Sequence, residues 1–272
     1  MFVNKNILIS CHDAGSANLI YYWMKKFNDN NYFYYNKGPA KKIFKKKNTE
    51  LSKIKKLNID LIITGTSQFS SLEHKVRIIA SKLNIFSITF LDHYVNYKKR
   101  FYYNNIFKLP DEIWSFDIYS YKLARKIFKN VLIKKKINYY INSLKNKIIP
   151  KKNKQNNLLY FTEPFFFKNK GKEFDYLKKF LERFKDKKNY NIRIKLHPLE
   201  SPKKYNKLIK KYKQINIKVF KNSKLEDLIN WCDKVFGSQT YAMIVASKCN
   251  KKVYTLMHPN DFRLPKGLVK NF

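Results

Sequence analysis

Acidic residues are scarce in this chain: 19 Asp and Glu stand against 58 Lys and Arg in 272 residues, a formal charge of +39. A balance that basic favours an anionic partner, whether nucleic acid, acidic lipid headgroups or a phosphorylated substrate. Lys, Asn, Ile, Tyr and Phe are all abundant together, as codon drift in an AT-biased genome would produce, and the lysines are spread over the whole chain. Charge alone therefore does not choose among these partners. Cysteine is scarcer still. Cys11, Cys232 and Cys249 are odd in number and lack metal-type spacing, which argues against a disulfide framework and suits a reduced cytosol. Long apolar runs are missing as well. "MFVNKNILIS" is too short for a secretion signal, and no stretch approaches the ~18 apolar residues of a spanning helix. The expectation is a soluble cytoplasmic protein, or one attached to a membrane face.

Several signatures of chemistry are also missing. No P-loop, G-x-G-x-x-G, H-E-x-x-H or G-x-S-x-G sequence occurs, so kinase-type, dinucleotide, metalloprotease and α/β-hydrolase readings lack their motifs. There is no D-x-D metal motif either, and no metal site or cofactor is expected.

What is present is an apolar, aromatic chain, 44% hydrophobic and 17% aromatic, too apolar for disorder. Short β-rich runs alternate with helical patterns. Residues 5–10, 59–65, 86–93 and 112–116 read as strands, with helices beginning near 17, 71 and 119. Between Asn142 and Asn157 the text "NSLKNKIIPKKNKQNN" is polar and basic with Pro150, and reads as a linker. Alternation then restarts, with strands at 157–162, 190–196, 215–220, 234–237 and 251–256 and helices near 172–186, 202–212, 224–231 and 240–248. Strands that are apolar throughout and separated by helices imply parallel sheets covered on both faces. The expected fold is α/β, two Rossmann-like domains at 1–145 and 156–272 facing across a cleft, with ligands outside the carboxyl ends of the strands. The lysine cluster at 41–56 reads as a solvated helix face or loop.

Gly15, Gly65 and Gly237, three of only six glycines, follow predicted strands directly, where the backbone turns tightly or approaches a ligand. In the second half, "IRIKLHPLES" is a strand ending in His197-Pro198. The proline stops the ladder and leaves the imidazole at the carboxyl end, where it serves either as a capping group or as a donor to phosphate. Further on, "GSQT" joins a strand to a helix. Ser238, Thr240 and the backbone N–H groups at the helix start suit a diphosphate, although plain N-capping uses the same residues.

"KLHP" followed by "DLI..CD.VFGSQT...IVAS..NKKVYTL" is similar to the donor half of GT-B glycosyltransferases, in particular bacterial surface-polysaccharide sialyl-, Kdo- and glycerophosphotransferases that share a His-Pro motif. The resemblance implies that His197, Ser238 and Thr240 contact the nucleotide phosphates, with Pro198 and Gly237 shaping the site. It also implies a glycosyl transfer from a nucleotide-sugar to a surface glycan or lipid-linked acceptor. One departure stands out: where many GT-B members carry Glu-Ala in the helix after the turn, the Glu binding the donor ribose, this chain has Val245-Ala246.

The first half then supplies the acceptor side and the base. In "ILISCHDAGSAN" the best-placed carboxylate is Asp13, with His12 as substitute, beside Gly15 and Ser16 on the acceptor side. "LDHYVNYKKRF" gives a second constellation, Asp92, His93 and Arg100. Adjacent residues on an extended strand point to opposite faces, so Asp92 and His93 are not expected to work as a pair. For Asp13 and Asp92, holding the loop by backbone hydrogen bonds is the competing role. Cys11, at the end of an apolar run, reads as an inert buried thiol. A positive face would suit an anionic membrane surface. A nucleotide-sugar epimerase or hydrolase of similar fold is the alternative enzyme. A basic nucleic-acid-binding module is the alternative outside enzymes, disfavoured because the aromatics fall inside predicted strands and helices.

Overall fold

The apolar runs become the central strands of two parallel sheets, one in each half. The computed structural model describes residues 2–68, 70–149, 156–165, 170–187, 189–265 and 267–272. The chain divides into two units, Met1–Asn142 and Ser143–Phe272.

The first unit runs β1 (Asn6–Ser10), α1 (Ala14–Lys26), β2 (Asn31–Tyr34), α2 (Gly38–Phe44), β3 (Leu61–Thr64), α3 (Leu72–Lys82), β4 (Phe86–Leu91), a hairpin of β5 (Tyr102–Tyr103) and β6 (Ile106–Phe107), β7 (Glu112–Ser115), α4 (Ile118–Ile127) and β8 (Leu132–Lys135). α5 (Tyr139–Lys147) carries the division between the units. The six-stranded sheet has the order β2-β1-β3-β4-β7-β8, every pair parallel. The fully buried "LIIT" of β3 and the buried positions of β1 and β4 fill the centre, as strands covered on both faces require.

The second unit contains β9 (Asn157–Phe161), α6 (Lys172–Phe184), β10 (Asn191–Lys195), α7 (Asn206–Ile209), β11 (Asn216–Phe220), α8 (Leu225–Trp231), β12 (Lys234–Gly237), α9 (Tyr241–Lys248), β13 (Lys252–Thr255) and β14 (Lys270–Asn271). Its sheet order is β11-β10-β9-β12-β13-β14. Leu177, Phe180, Leu181 and Phe184 form the apolar stripe of α6, packed with Tyr160, Ile192, Ile194 and Phe236 of the sheet. Glu173 and Asp175 in the first turn of α6 and Arg183 in its last match the helix dipole.

Four expectations need correction. The stretch expected as a linker is helical up to Lys147 in α5, and its residues 150–155 lie outside the described ones. The helix expected over 202–212 is only α7 followed by a 3-10 turn at Lys210–Tyr212. β2 and β8 were not expected, because as edge strands they are not buried on both faces and lack a continuous apolar run. β4 stops at Leu91, so Asp92 and His93 stand beyond the strand, and their separation is a matter of loop geometry. The lysine cluster is the end of α2 and the turns after it, with its lysines on the surface.

Candidate functional site

Both sheets deliver their polar residues at the carboxyl edge. In the second unit, Phe161, Lys195, Gly237 and Thr255 lie at one level of the sheet, so the segments after β9, β10, β12 and β13 leave it together. The order places the reversal of strand direction in sequence between β9 and β12, the point at which open α/β sheets receive ligands.

His197 follows β10. Its backbone N–H donates to Thr162 Oγ1 at 2.9 Å and Glu200 Oε2 at 3.1 Å, and its Nδ1 accepts the Leu199 N–H at 3.3 Å. With Nδ1 an acceptor, the neutral ring carries its proton on Nε2. Glu200 is the buried centre of this turn. Lys204 and Tyr205 donate to its Oε1 at 2.8 and 2.6 Å, Thr162 donates to Oε2, and Lys221 donates to its carbonyl at 2.7 Å. Burial raises the Glu200 carboxyl, but the bonds from Lys204, Thr162 and Tyr205 outweigh it and hold the group below the usual glutamate range. A fixed charged network of this kind gives the exposed Pro198 turn a rigid base.

At the turn after β12, a Cβ on Gly237 would meet the Phe161 carbonyl at 2.8 Å and Met243 Sδ at 2.9 Å, so this glycine is required by close approach. Ser238 is buried, and its hydroxyl shares a hydrogen bond with the Tyr160 phenol; that side chain serves the core. Thr240 is the N-cap of α9, half-buried, and among the described residues its hydroxyl makes no capping bond. Between them the Gln239 N–H donates to Glu163 Oε2 at 3.0 Å. A carboxylate therefore occupies the turn immediately ahead of the α9 N-cap. Burial pushes Glu163 up to about 7, against the lowering effect of the Gln239 bond. Val245, where the sequence departs from the Glu-Ala pattern, is 1% exposed within α9 and belongs to the core. Glu163, absent from the sequence reading, carried the same signal as His197: a polar residue just past a strand, followed by proline.

In the first unit the reversal falls between β1 and β3. Asp13 is the N-cap of α1 but makes no capping bond, because its carboxylate accepts from His12 Nδ1 at 2.7 Å. That bond comes first in raising His12 above its ordinary value, ahead of the opposing burial. The His12 ring rests on Gly38, whose φ of +54° and clearance of 2.6 Å from His12 Nε2 to a notional Cβ both demand glycine. Glu73, on α3, is 1% exposed and accepts the His12 N–H at 2.9 Å. Its other oxygen has no hydrogen-bond partner among the described residues. Burial pushes Glu73 up to about 7. No local pattern pointed to Glu73, since only the packing of α3 on the β1 turn brings it there.

Gly15 answers to Asp92: a Cβ on Gly15 would lie 2.1 Å from Asp92 Oδ2. Asp92 is buried, accepts from Thr66 Oγ1 at 2.7 Å and is bonded by Ser16. Burial raises its carboxyl, with Arg100 pulling the other way. Arg100 itself is buried, donating to the carbonyls of Val95 at 3.0 Å and Thr66 at 2.6 Å, and thus ties two loops together. His93 follows Asp92 in the loop, its Nδ1 accepting the Tyr94 N–H at 3.0 Å. Cys11 is fully buried, and burial holds its thiol well above the ordinary value. The structure brings Asp13 and His12 together, and Gly15, Ser16 and Asp92 together.

Two parallel α/β units, wound 2-1-3-4-5-6 and 3-2-1-4-5-6, define a GT-B-like fold. Solved structures similar to this chain include S. aureus MnaA in a co-structure with UDP (TM-score 0.69, 12% identity, 93% of this chain and 79% of that one). The UDP-GlcNAc 2-epimerase from Neisseria meningitidis bound to UDP-GlcNAc gives a TM-score of 0.69 at 12% identity over 97% and 86%. E. coli ADP-heptose LPS heptosyltransferase II gives 0.53 at 11% identity over 98% and 90%. No family model matches the sequence, and no curated protein matches it. At such identities the likeness is one of fold. Among the described residues no helix is long and apolar enough to cross a membrane.

Proposed function

We propose that this chain is an enzyme acting on a nucleotide-activated sugar, with the diphosphate held at the carboxyl edge of the second unit. The observation that carries the reading is the Gln239 N–H, at the reversal point and the start of α9, already holding the Glu163 carboxylate. A phosphate oxygen would take that carboxylate's place beside the Thr240 hydroxyl. His197, one strand to the other side of β9, would donate from Nε2 to the same ligand, since two strand spacings are about 10 Å and a nucleoside diphosphate reaches that far. Gly237 and Pro198 shape the backbone, while Ser238 contributes by bracing the turn. In this reading positive side chains and the α9 start stabilise the diphosphate, no metal or cofactor takes part, and activity survives a chelator.

Of the two chemistries open to such an enzyme, epimerisation or hydrolysis without an acceptor has the better support. Most of the similar solved structures bear the name UDP-GlcNAc 2-epimerase, and the first unit is furnished for proton transfer. Inverting a C–H centre requires a group to remove a proton and a group to return one. Glu73, which burial pushes up to about 7, is suited to holding a proton near neutrality; His12, made more basic by Asp13, Asp92, raised by burial, and His93 are the further candidates. Transfer to a surface glycan or lipid-linked acceptor is the second reading, favoured by the heptosyltransferase similarity, with Gly15, Ser16, Asp92 and Arg100 on the acceptor side. Incubation with UDP-GlcNAc alone in D2O distinguishes them. Deuterium in a recovered epimer, or free sugar, supports the first reading, and turnover only with an acceptor supports the second. No turnover of any nucleotide-sugar, with no nucleotide bound, overturns both.

A further inference from the structure

The β5–β6 hairpin stands apart from both sheets. Its strands pair Tyr102 with Phe107 and Tyr103 with Ile106, and the connecting Asn104 and Asn105 both have positive φ, 46° and 60°, the backbone of a tight two-residue turn. A hairpin in water normally buries one face. Here Tyr102, Tyr103, Ile106 and Phe107 are 52, 38, 53 and 40% exposed, although the hairpin's root, Phe101, is fully buried in the core. Tyr102 and Phe107 share one face of the hairpin and Tyr103 and Ile106 the other, where the Tyr103 ring lies 5.9 Å from that of His74; together they put four large, partly exposed side chains within six residues at the surface.

The surroundings say what would cover it. Lys98, Lys99 and Lys75 are exposed at the hairpin's base, with Lys75 Nζ 6.0 Å from the centre of the Tyr103 ring. No acidic residue occurs from 93 to 110. A second copy of the chain would bring like charge against like. Nucleic acid would need splayed rings and free guanidinium groups, but Tyr102 and Phe107 lie with ring centres 4.7 Å apart, and Arg77 and Arg100 are buried. Tyrosine, phenylalanine and isoleucine at a tip ringed by lysine match the headgroup boundary of an anionic bilayer, where amphipathic rings sit and lysines meet phospholipid charge.

We infer that the β5–β6 hairpin is a membrane-docking element that inserts its tip into an anionic phospholipid surface. This goes beyond the nucleotide-sugar reading and does not depend on it. The test is sedimentation of the full chain with vesicles of phosphatidylcholine alone and of equal parts phosphatidylcholine and phosphatidylglycerol. The unaltered chain should sediment with the mixed vesicles and not with the neutral ones. Ile106→Ser with Phe107→Ser should lower vesicle affinity about tenfold or more, with an unchanged melting temperature, because neither side chain is in a core. Lys98→Glu with Lys99→Glu should weaken it also. A Phe107→Trp variant gives a second readout that does not rely on loss: its indole emission should move to the blue on adding mixed vesicles. Equal binding by the serine variant, no sedimentation of the unaltered chain, or no emission change would overturn the inference. So would a dimer that the serine variant converts to monomer, or RNA affinity lost in that variant while vesicle binding persists.

Discussion

Replacing Glu73 with Gln should remove much of the pH dependence of the first unit's stability. Glu73 is buried against the β1 turn, accepts the His12 N–H, and is pushed up to about 7 by burial, from an ordinary glutamate value of 4.5. As pH rises above 4.5 the unfolded chain gives up this proton while the fold retains it. The group's contribution to stability is thus complete below 4.5 and is lost by the time pH has passed about 7. At ~1.36 kcal/mol per pH unit the full loss is about 3 kcal/mol. His12, also raised in the fold, titrates with the same sign from its ordinary value of 6.5 upward, and persists in the variant. Urea denaturation at a series of pH values measures the difference. A Trp231→Phe background leaves Trp23 and Trp114, both in the first unit, as the emitting reporters. Relative to the parent, Glu73→Gln should gain stability steadily between pH 4.5 and about 7 and level off above. A difference that stays constant across that range would mean that Glu73 is ionised in the fold, with Arg77 as its counter-charge, and would refute the reasoning.

Gly15→Ala should destabilise the first unit by about 2–4 kcal/mol, since its methyl would overlap Asp92 Oδ2; adding Asp92→Ala should recover part of the loss in a thermal melt, and an additive pair would contradict the contact. Thr240→Ala should cost under about 0.5 kcal/mol, where a working N-cap is worth ~1, yet weaken UDP binding severalfold; a large stability loss with unchanged binding would return the hydroxyl to a capping role. Glu163→Ala, by vacating the Gln239 N–H, should tighten UDP binding above pH 7, where the parent carboxylate is charged. Weaker binding in calorimetry would show that Glu163 assists the ligand.

The central strands were legible because β1, β3, β4 and β9 are buried on both faces and carry unbroken apolar runs. β2 "NYFY" and β8 "LIKK" were not, since an edge strand has one open side and its sequence is under weaker constraint. The 202–212 segment has helical composition, but only one short turn of it is helical. At the candidate site, the strand-end placement of His197 and of the 237–240 turn was legible from strand ends followed by Pro or Gly. Glu200, Glu73 and the true reason for Gly15 were not: each depends on a contact with a residue 38 to 77 positions away, Thr162, His12 and Asp92 respectively, and no local pattern encodes such a pairing. Arg100, expected on the acceptor side, is buried, and two of its nitrogens donate to the carbonyls of Val95 and Thr66, contacts that no local pattern encodes.

The most direct test of the central claim is a calorimetric titration of UDP into the full chain and into His197→Ala. The parent should bind saturably and the variant about tenfold or more weakly, the worth of one hydrogen bond to a charged phosphate. Absence of binding by UDP, ADP, CDP and GDP alike, or equal affinity in parent and variant, would contradict it.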